Sequence, residues 1–310
     1  MSRLSAAVVA LALTGALMGT PAEAVQRAFV ASYGSDANVG TLCGLANPCR
    51  SFATAVTVVD PNGEVLALDS IGYGAVTLTQ SISLVAAPGA YAGISVSSGN
   101  GVTIATGGIS VTLRGLTINS IGGTNGVLMT NGAKLSIENC VISNFSGGGG
   151  YGVRVNNAAT VRIIDSLIRD GSTGVYLTGG ATVTISGSKI VGNTSLGVQV
   201  EAFSSTTTTV AISDSLVANS SFGISVGSFF TIPGIARVSV TRSTLSNNGN
   251  AVVVSASTGT ALLTLSNSMV TGNTNGLVQS NSGVIESLGD NAVRQNGTNT
   301  SGTITPVAPI

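Results

Sequence analysis

A chain of 310 residues with no histidine and no tryptophan has few groups with which to do chemistry. A Ser-His-Asp arrangement is impossible, and neither a phosphate-cradling glycine loop nor a zinc-ligand spacing occurs. The residues best suited to meet a ligand are Arg154 with Asn156, Tyr176 with Thr178, and Gln199 with Glu201, each pair flanking one apolar residue. On a strand, such spacing puts both members of a pair on one face. The segments EAFSSTTTT and GSFFTIPGIAR follow closely and bring Phe203, Phe229, Phe230 and Ile232 beside them. An aromatic wall next to Arg, Glu, Gln and Asn is what a saccharide binder uses. The plain alternative is that outward strand residues are often polar and loop phenylalanines often pack on their own fold.

Glycoside hydrolysis ordinarily needs two carboxylates within about 10 Å of each other. Glu201 has no acidic companion in its columns, and Glu138 lies on a different turn. No catalytic residue, metal ligand or cofactor is therefore assigned. Charged residues make up 8% of the chain and the formal net charge is zero, so the basic face of a nucleic-acid binder is not expected.

The elements that must position these residues are announced by a repeat. From about residue 111 the segments VTLRGLTIN, LSIENCVISN, VRIIDSLIRD, VTISGSKIVGN, VAISDSLVAN, VSVTRSTLSN, LTLSNSMVTGN and SLGDNAVRQN share one pattern. It reads apolar-x-apolar, two turn residues, a small residue, x, apolar, then Asn or Asp. Its third position is Leu113, Ile137, Ile163, Ile185, Ile212, Val240, Leu265 and Leu288. A second signature, Gly-apolar-x-apolar, lies between copies. Short alternating runs at a period near 25 residues indicate stacked coils of about three strands each. The fold class expected is all-β, a right-handed single-stranded parallel β-helix (solenoid). The fifth position (Gly115, Asn139, Asp165, Gly187, Asp214, Arg242, Asn267, Asp290) is rich in residues that tolerate left-handed backbone angles at a sharp corner. Asp165, Asp214 and Asp290 thus read as corner residues rather than metal ligands, and Asp214 is expected to pair with Arg242 on the next coil. The sixth position, which holds Cys140 and several serines, should point inward, making Cys140 a buried thiol. In the second signature the outward column reads Leu128, Arg154, Tyr176, Gln199, Ser225, Val253, Val278. The next outward column reads Thr130, Asn156, Thr178, Glu201, Gly227, Ser255, Ser280.

The ends differ from the repeat. Residues 1–24 read as a secretory signal: Arg3, an apolar stretch from Ala6 to Met18, and an Ala22-Glu23-Ala24 cleavage site. A secreted, periplasmic or cell-surface protein with no membrane span after signal removal is expected. Residues 25–62 supply a lead-in strand over Arg27–Tyr33, a Cys43–Cys49 disulfide closing a small loop in an oxidising compartment, and a short N-terminal capping helix over Pro48–Val59. The coil should occupy 63–300, and 301–310 a polar tail with room for one last strand.

With these segments in view, the chain resembles the pectate-lyase-like superfamily of right-handed β-helix proteins. FVASYGSDAN, NPCRSFATAV and GYGAVTLTQSISLVA also look like a bacterial group of exported β-helix proteins of unassigned function. The resemblance implies that ligands lie on the outer face of the Gly-apolar-x-apolar sheet. It does not imply an activity. Polygalacturonases of the superfamily use Asn-x-Asp, Asp-Asp and Gly-His-Gly motifs, and pectate lyases hold calcium with several Asp residues; no such pattern is visible. The expected function is an exported non-catalytic β-helix, structural or glycan-binding, whose partner would be a polysaccharide or cell-surface glycan. The alternatives are a lyase-like polysaccharide-active enzyme and an adhesin or secretion-system component.

Overall fold

The computed structural model describes residues 25–147, 149–228 and 231–308. The expected signal segment, Phe229 and Phe230 lie outside the described residues. The remainder is a solenoid of three parallel sheets with 12, 10 and 10 strands, here called A, C and B. One coil runs from sheet A to B to C and back to A, as in Lys134–Glu138, Val141–Ser143, Tyr151–Val155 and Thr160–Ile164.

Apolar-x-apolar runs form strands because alternate side chains enter the coil. Leu113, Ile137, Ile163, Ile185, Ile212, Val240 and Leu265 stack in register through sheet A, all buried. Ile118, Ile142, Ile168, Ile190, Val217, Leu245 and Val270 do the same in sheet B. Val127, Val153, Val175, Val198, Ile224, Val252 and Leu277 line sheet C. Each fully buried aliphatic contributes about 1.5–3 kcal/mol over an exposed one, and each is covered by its counterparts on the coils before and after.

The A-to-B corner has positive φ at Gly115, Asn139, Asp165, Gly187, Asp214, Arg242 and Asn267, between 45° and 71°. At Gly187 a Cβ would meet the Asp165 carboxylate oxygen at 2.1 Å, so any side chain on this coil would have to push that carboxylate aside. Arg242 adopts the same unfavourable angle, and its guanidinium holds Asp214 with two 2.8 Å hydrogen bonds, the expected pairing.

Immediately after this corner a buried serine ladder runs along the molecule. The backbone N–H groups of Cys140, Ser166, Ser188, Ser215 and Ser243 donate to the hydroxyls of Ser166, Ser188, Ser215, Ser243 and Ser268 on the following coils, at 3.1–3.2 Å. Each of these hydroxyls donates in turn to the carbonyl two residues earlier, at 2.7–3.0 Å. The B-to-C corner repeats the device. Asn144, Asp170, Gly192, Asn219, Asn247, Gly272 and Gln295 have positive φ. Behind them the N–H groups of Gly171, Ser220, Asn248 and Asn273 donate to the side-chain oxygens of Asn193, Asn248, Asn273 and Asn296.

At the N-terminal end, Arg27–Val30 pairs with Glu64–Ala67, and Cys43 is joined to Cys49. The capping helix is shorter than expected, spanning Phe52–Ala55 rather than Pro48–Val59. Cys49 is held extended by backbone hydrogen bonds with Phe29 and Ala31, and Ser51 provides the N-cap. Phe52 and Ala55 are buried, and the Phe52 ring packs on Tyr73 at 5.2 Å. A 3-10 turn at Asp36–Thr41 was not expected.

Two corrections fall at the other end. Leu265 pairs with Ser287 rather than Leu288, so the last copy has one extra residue before its corner, and Asp290 has no positive φ. Thr298–Ser301 closes the coil on sheet C, and the 301–310 tail supplies one last strand, Ile304–Val307, on sheet A. Among the described residues no helix is long and apolar enough to cross a membrane.

The serine ladder predicts an asymmetry. Ser215→Ala adds no bulk but removes the acceptor for the buried Ser188 N–H, and should cost about 1–3 kcal/mol, read as a lowered midpoint in chemical denaturation. Cys140→Ser places a hydroxyl between the Glu138 and Leu113 carbonyls, now 3.4 and 3.5 Å from the sulfur, and should shift the midpoint far less.

Candidate functional site

The outward residues of sheet C align as a column. Leu128 pairs with Arg154, Arg154 with Tyr176, Tyr176 with Gln199, Gln199 with Ser225, Ser225 with Val253, and Val253 with Val278. Strands of a sheet lie about 4.8 Å apart, so the three long polar side chains are immediate neighbours.

They make one connected cluster. The Tyr176 hydroxyl donates to Glu201 Oε2 at 2.7 Å, and Gln199 Nε2 donates to Glu201 Oε1 at 2.7 Å. The Arg154 guanidinium carbon lies 4.9 Å from the centre of the Tyr151 ring and 5.7 Å from that of Tyr176. The two tyrosines stack with centroids 5.3 Å apart and planes 27° apart. Arg154 Nε donates to Asn156 Oδ1 at 3.3 Å. Both Glu201 oxygens are thus engaged, while the terminal nitrogens of Arg154 take part in none of the ion pairs found among the described residues. Burial, and then the hydrogen bond to Glu201, push the Tyr176 phenol well above its ordinary pKa.

Five of the expected residues meet here: Arg154, Asn156, Tyr176, Gln199 and Glu201. Thr178 does not. It is 2% exposed, and its hydroxyl has no hydrogen-bond partner among the described residues. Its strand stops at Leu177, and the chain turns through Gly179 and Gly180, both at positive φ. The strand bearing Glu201 instead continues through that residue, so Glu201 stays on the outer face. Phe203 is half-buried and bridges Pro233, where Ser204 and Ser205 N–H groups also donate to the Ile232 and Pro233 carbonyls. The two inserted loops are therefore fastened to each other beside Glu201, with Ile232 56% exposed.

Tyr151 was missed. Its ladder partners are Asn125 and Thr173, so it lies in neither outward column. The available signal was its type, one of five tyrosines in a chain with 4% aromatic residues.

The strand after Glu201 presents Gly227 opposite it. Among the described residues no group of three or more Asp, Glu, Cys or His residues could hold a metal. Cys140 is 1% exposed, and burial pushes its thiol up to about 11.

Two measurements follow from these environments. Cys140 should resist iodoacetamide at pH 8 in the native protein and react on denaturation, read by mass spectrometry. In a spectrophotometric titration Tyr73 and Tyr176 should ionise last, since burial raises both. Because their folded values lie above the unfolded value of about 10, stability should be intact below pH 10 and fall above it. Tyr176→Phe should reduce the late part of the titration and leave the Tyr73 share of it in place.

Solved structures show what this architecture is similar to. The pectate lyase Pel9A superimposes with a TM-score of 0.64 at 15% identity, covering 92% of this chain and 78% of that one. The polygalacturonase from Erwinia carotovora ssp. carotovora gives 0.61 at 12%, covering 93% and 95%. Tailspike protein 2 from Escherichia coli O157:H7 bacteriophage CAB120 gives 0.51 at 12%, and there the match covers 89% of this chain but 46% of the tailspike. At these identities the likeness is one of fold. No curated protein sequence matches the chain. Residues 92–274 match the family described as the right handed beta helix region, which is more than half the chain and agrees with the three stacked sheets: the protein belongs to the right-handed β-helix family.

Proposed function

We propose that the protein is an exported, non-catalytic β-helix that binds a polysaccharide across the outer face of sheet C. The observation that carries this reading is the Arg154–Tyr151–Tyr176–Gln199–Glu201 cluster, spread over three successive strands. Its side chains hold one another in place before a ligand arrives, so little ordering entropy is lost on binding. Tyrosine rings supply apolar surface for the C–H faces of a sugar ring, and the free Arg154 nitrogens and the Asn156 amide supply donors for its oxygens. Pectate lyase and polygalacturonase, two proteins of similar fold, are named for action on polysaccharides. The signal-like residues 1–24 and the Cys43–Cys49 disulfide support export.

The non-catalytic part of the proposal rests on Glu201. Acid–base cleavage of a glycosidic bond uses two carboxylates about 5–10 Å apart. Glu201 spends both oxygens on Tyr176 and Gln199 and faces Gly227 on the next strand.

The test is a glycan array followed by titration of the best ligand. Tyr176→Ala and Arg154→Ala should each weaken binding about tenfold, or about 1.4 kcal/mol, with the circular dichroism spectrum unchanged. Incubation with polygalacturonate and with alginate, with and without calcium, should give no ultraviolet absorbance from unsaturated product. Absorbance that grows with time and depends on calcium would overturn the non-catalytic reading, and unchanged affinity in both variants would overturn the site.

A further inference from the structure

Sheet A turns a second polar face outward, and its charges are unbalanced. Lys134 pairs with Thr160, Ser136 with Arg162, and Glu138 with Arg114 on adjacent strands. Arg114 holds Glu138 at 2.8 Å through Nη2 and 2.9 Å through Nε, and the Ser136 hydroxyl donates to the same carboxylate at 2.7 Å. The charge of Arg162 also acts on Glu138. Arg114 and Arg162 therefore act on one carboxylate, and Lys134 adds a third cation to the same face, a local excess of two positive charges in a chain whose formal net charge is zero. Neither Lys134 nor Arg162 takes part in the ion pairs found among the described residues.

Lys134 and Arg162 flank a shallow trough of about 230 Å³, lined as well by Thr112, Ser136, Thr160 and the Glu138 carboxylate, whose charge the Arg114 guanidinium meets. They lie on neighbouring coils and two residues apart along the strand, about 4.8 Å by about 6.6 Å, a diagonal near 8 Å. A tetrahedral oxyanion fits between side chains at that separation. The guanidinium offers a planar fork of N–H donors, the ammonium a point charge, and the hydroxyls complete the shell.

We propose that this trough binds sulfate or phosphate ester groups carried on a polysaccharide, at a site separate from the sheet C cluster. Both cations are exposed, so the attraction is screened by salt.

The experiment measures binding of the full chain to dextran sulfate at low ionic strength, with neutral dextran and carboxymethyl dextran as controls and inorganic phosphate as competitor. Dextran sulfate should bind, phosphate should displace it, and neither control polymer should match it. Replacing Lys134 and Arg162 together by Ala should weaken binding about tenfold. The charge-matched pair Lys189→Ala and Arg237→Ala, elsewhere on the coil, should change it by less than about twofold. Absence of dextran sulfate binding, equal binding of carboxymethyl dextran, or equal losses in the two double variants would overturn the proposal. None of these outcomes bears on the sheet C reading, because the variants used for the two faces share no residue.

Discussion

The hydrogen bond passed from coil to coil at the buried corner is the interaction on which the rest of the molecule depends. A sharp turn leaves backbone N–H groups that no sheet ladder can satisfy, and each costs about 1–3 kcal/mol if buried without a partner. Here the N–H of one coil donates to the serine hydroxyl of the next, and that hydroxyl donates to a carbonyl of its own coil. The asparagine row behind the second corner does the same with amide oxygens. Corners fixed in this way hold the register of all three sheets. Side chains on the outer faces therefore line up strand by strand, which makes a multi-strand ligand face possible.

The two outer faces use that register differently. On sheet C, Glu201 draws in Tyr176 and Gln199 while Arg154 stacks on tyrosine, a cluster with its acidic group enclosed and its cation left open. On sheet A, Glu138 is shared by cations on either side. Charged residues are only 8% of the chain, so each cluster stands out against a Ser, Thr, Asn and Gly background that gives solubility without strong fields.

Much of this was legible in the sequence because a solenoid is nearly one-dimensional: a period and an alternation determine which residues touch. The column Arg154–Tyr176–Gln199 followed from that alone. The failures have local causes. Extending the alternation past Leu177 puts Thr178 outward, but the strand ends there and two glycines turn the chain. Leu288 fits the apolar-x-apolar pattern as well as Ser287 fits the ladder, and only the backbone shows the extra residue. The Cys49 backbone bonds that shorten the helix are long-range contacts to Phe29 and Ala31, which a helical pattern over Pro48–Val59 cannot reveal. The Asn or Asp closing each copy falls on two different positions: Asn144, Asp170, Asn219 and Asn247 are left-handed corner residues, whereas Asn193, Asn273 and Asn296 belong to the hydrogen-bonding row behind them, a split that only the stacked coils show.

Hydroxyl-radical footprinting of tyrosine, with and without the polysaccharide that binds best, tests the central claim most directly. Tyr33 and Tyr91, 68% and 49% exposed and far along the sequence from the cluster, serve as internal references. The account predicts that bound polysaccharide lowers oxidation of Tyr151 and Tyr176 and leaves Tyr33 and Tyr91 unchanged. Unchanged oxidation of Tyr151 and Tyr176 at saturating polysaccharide would contradict it.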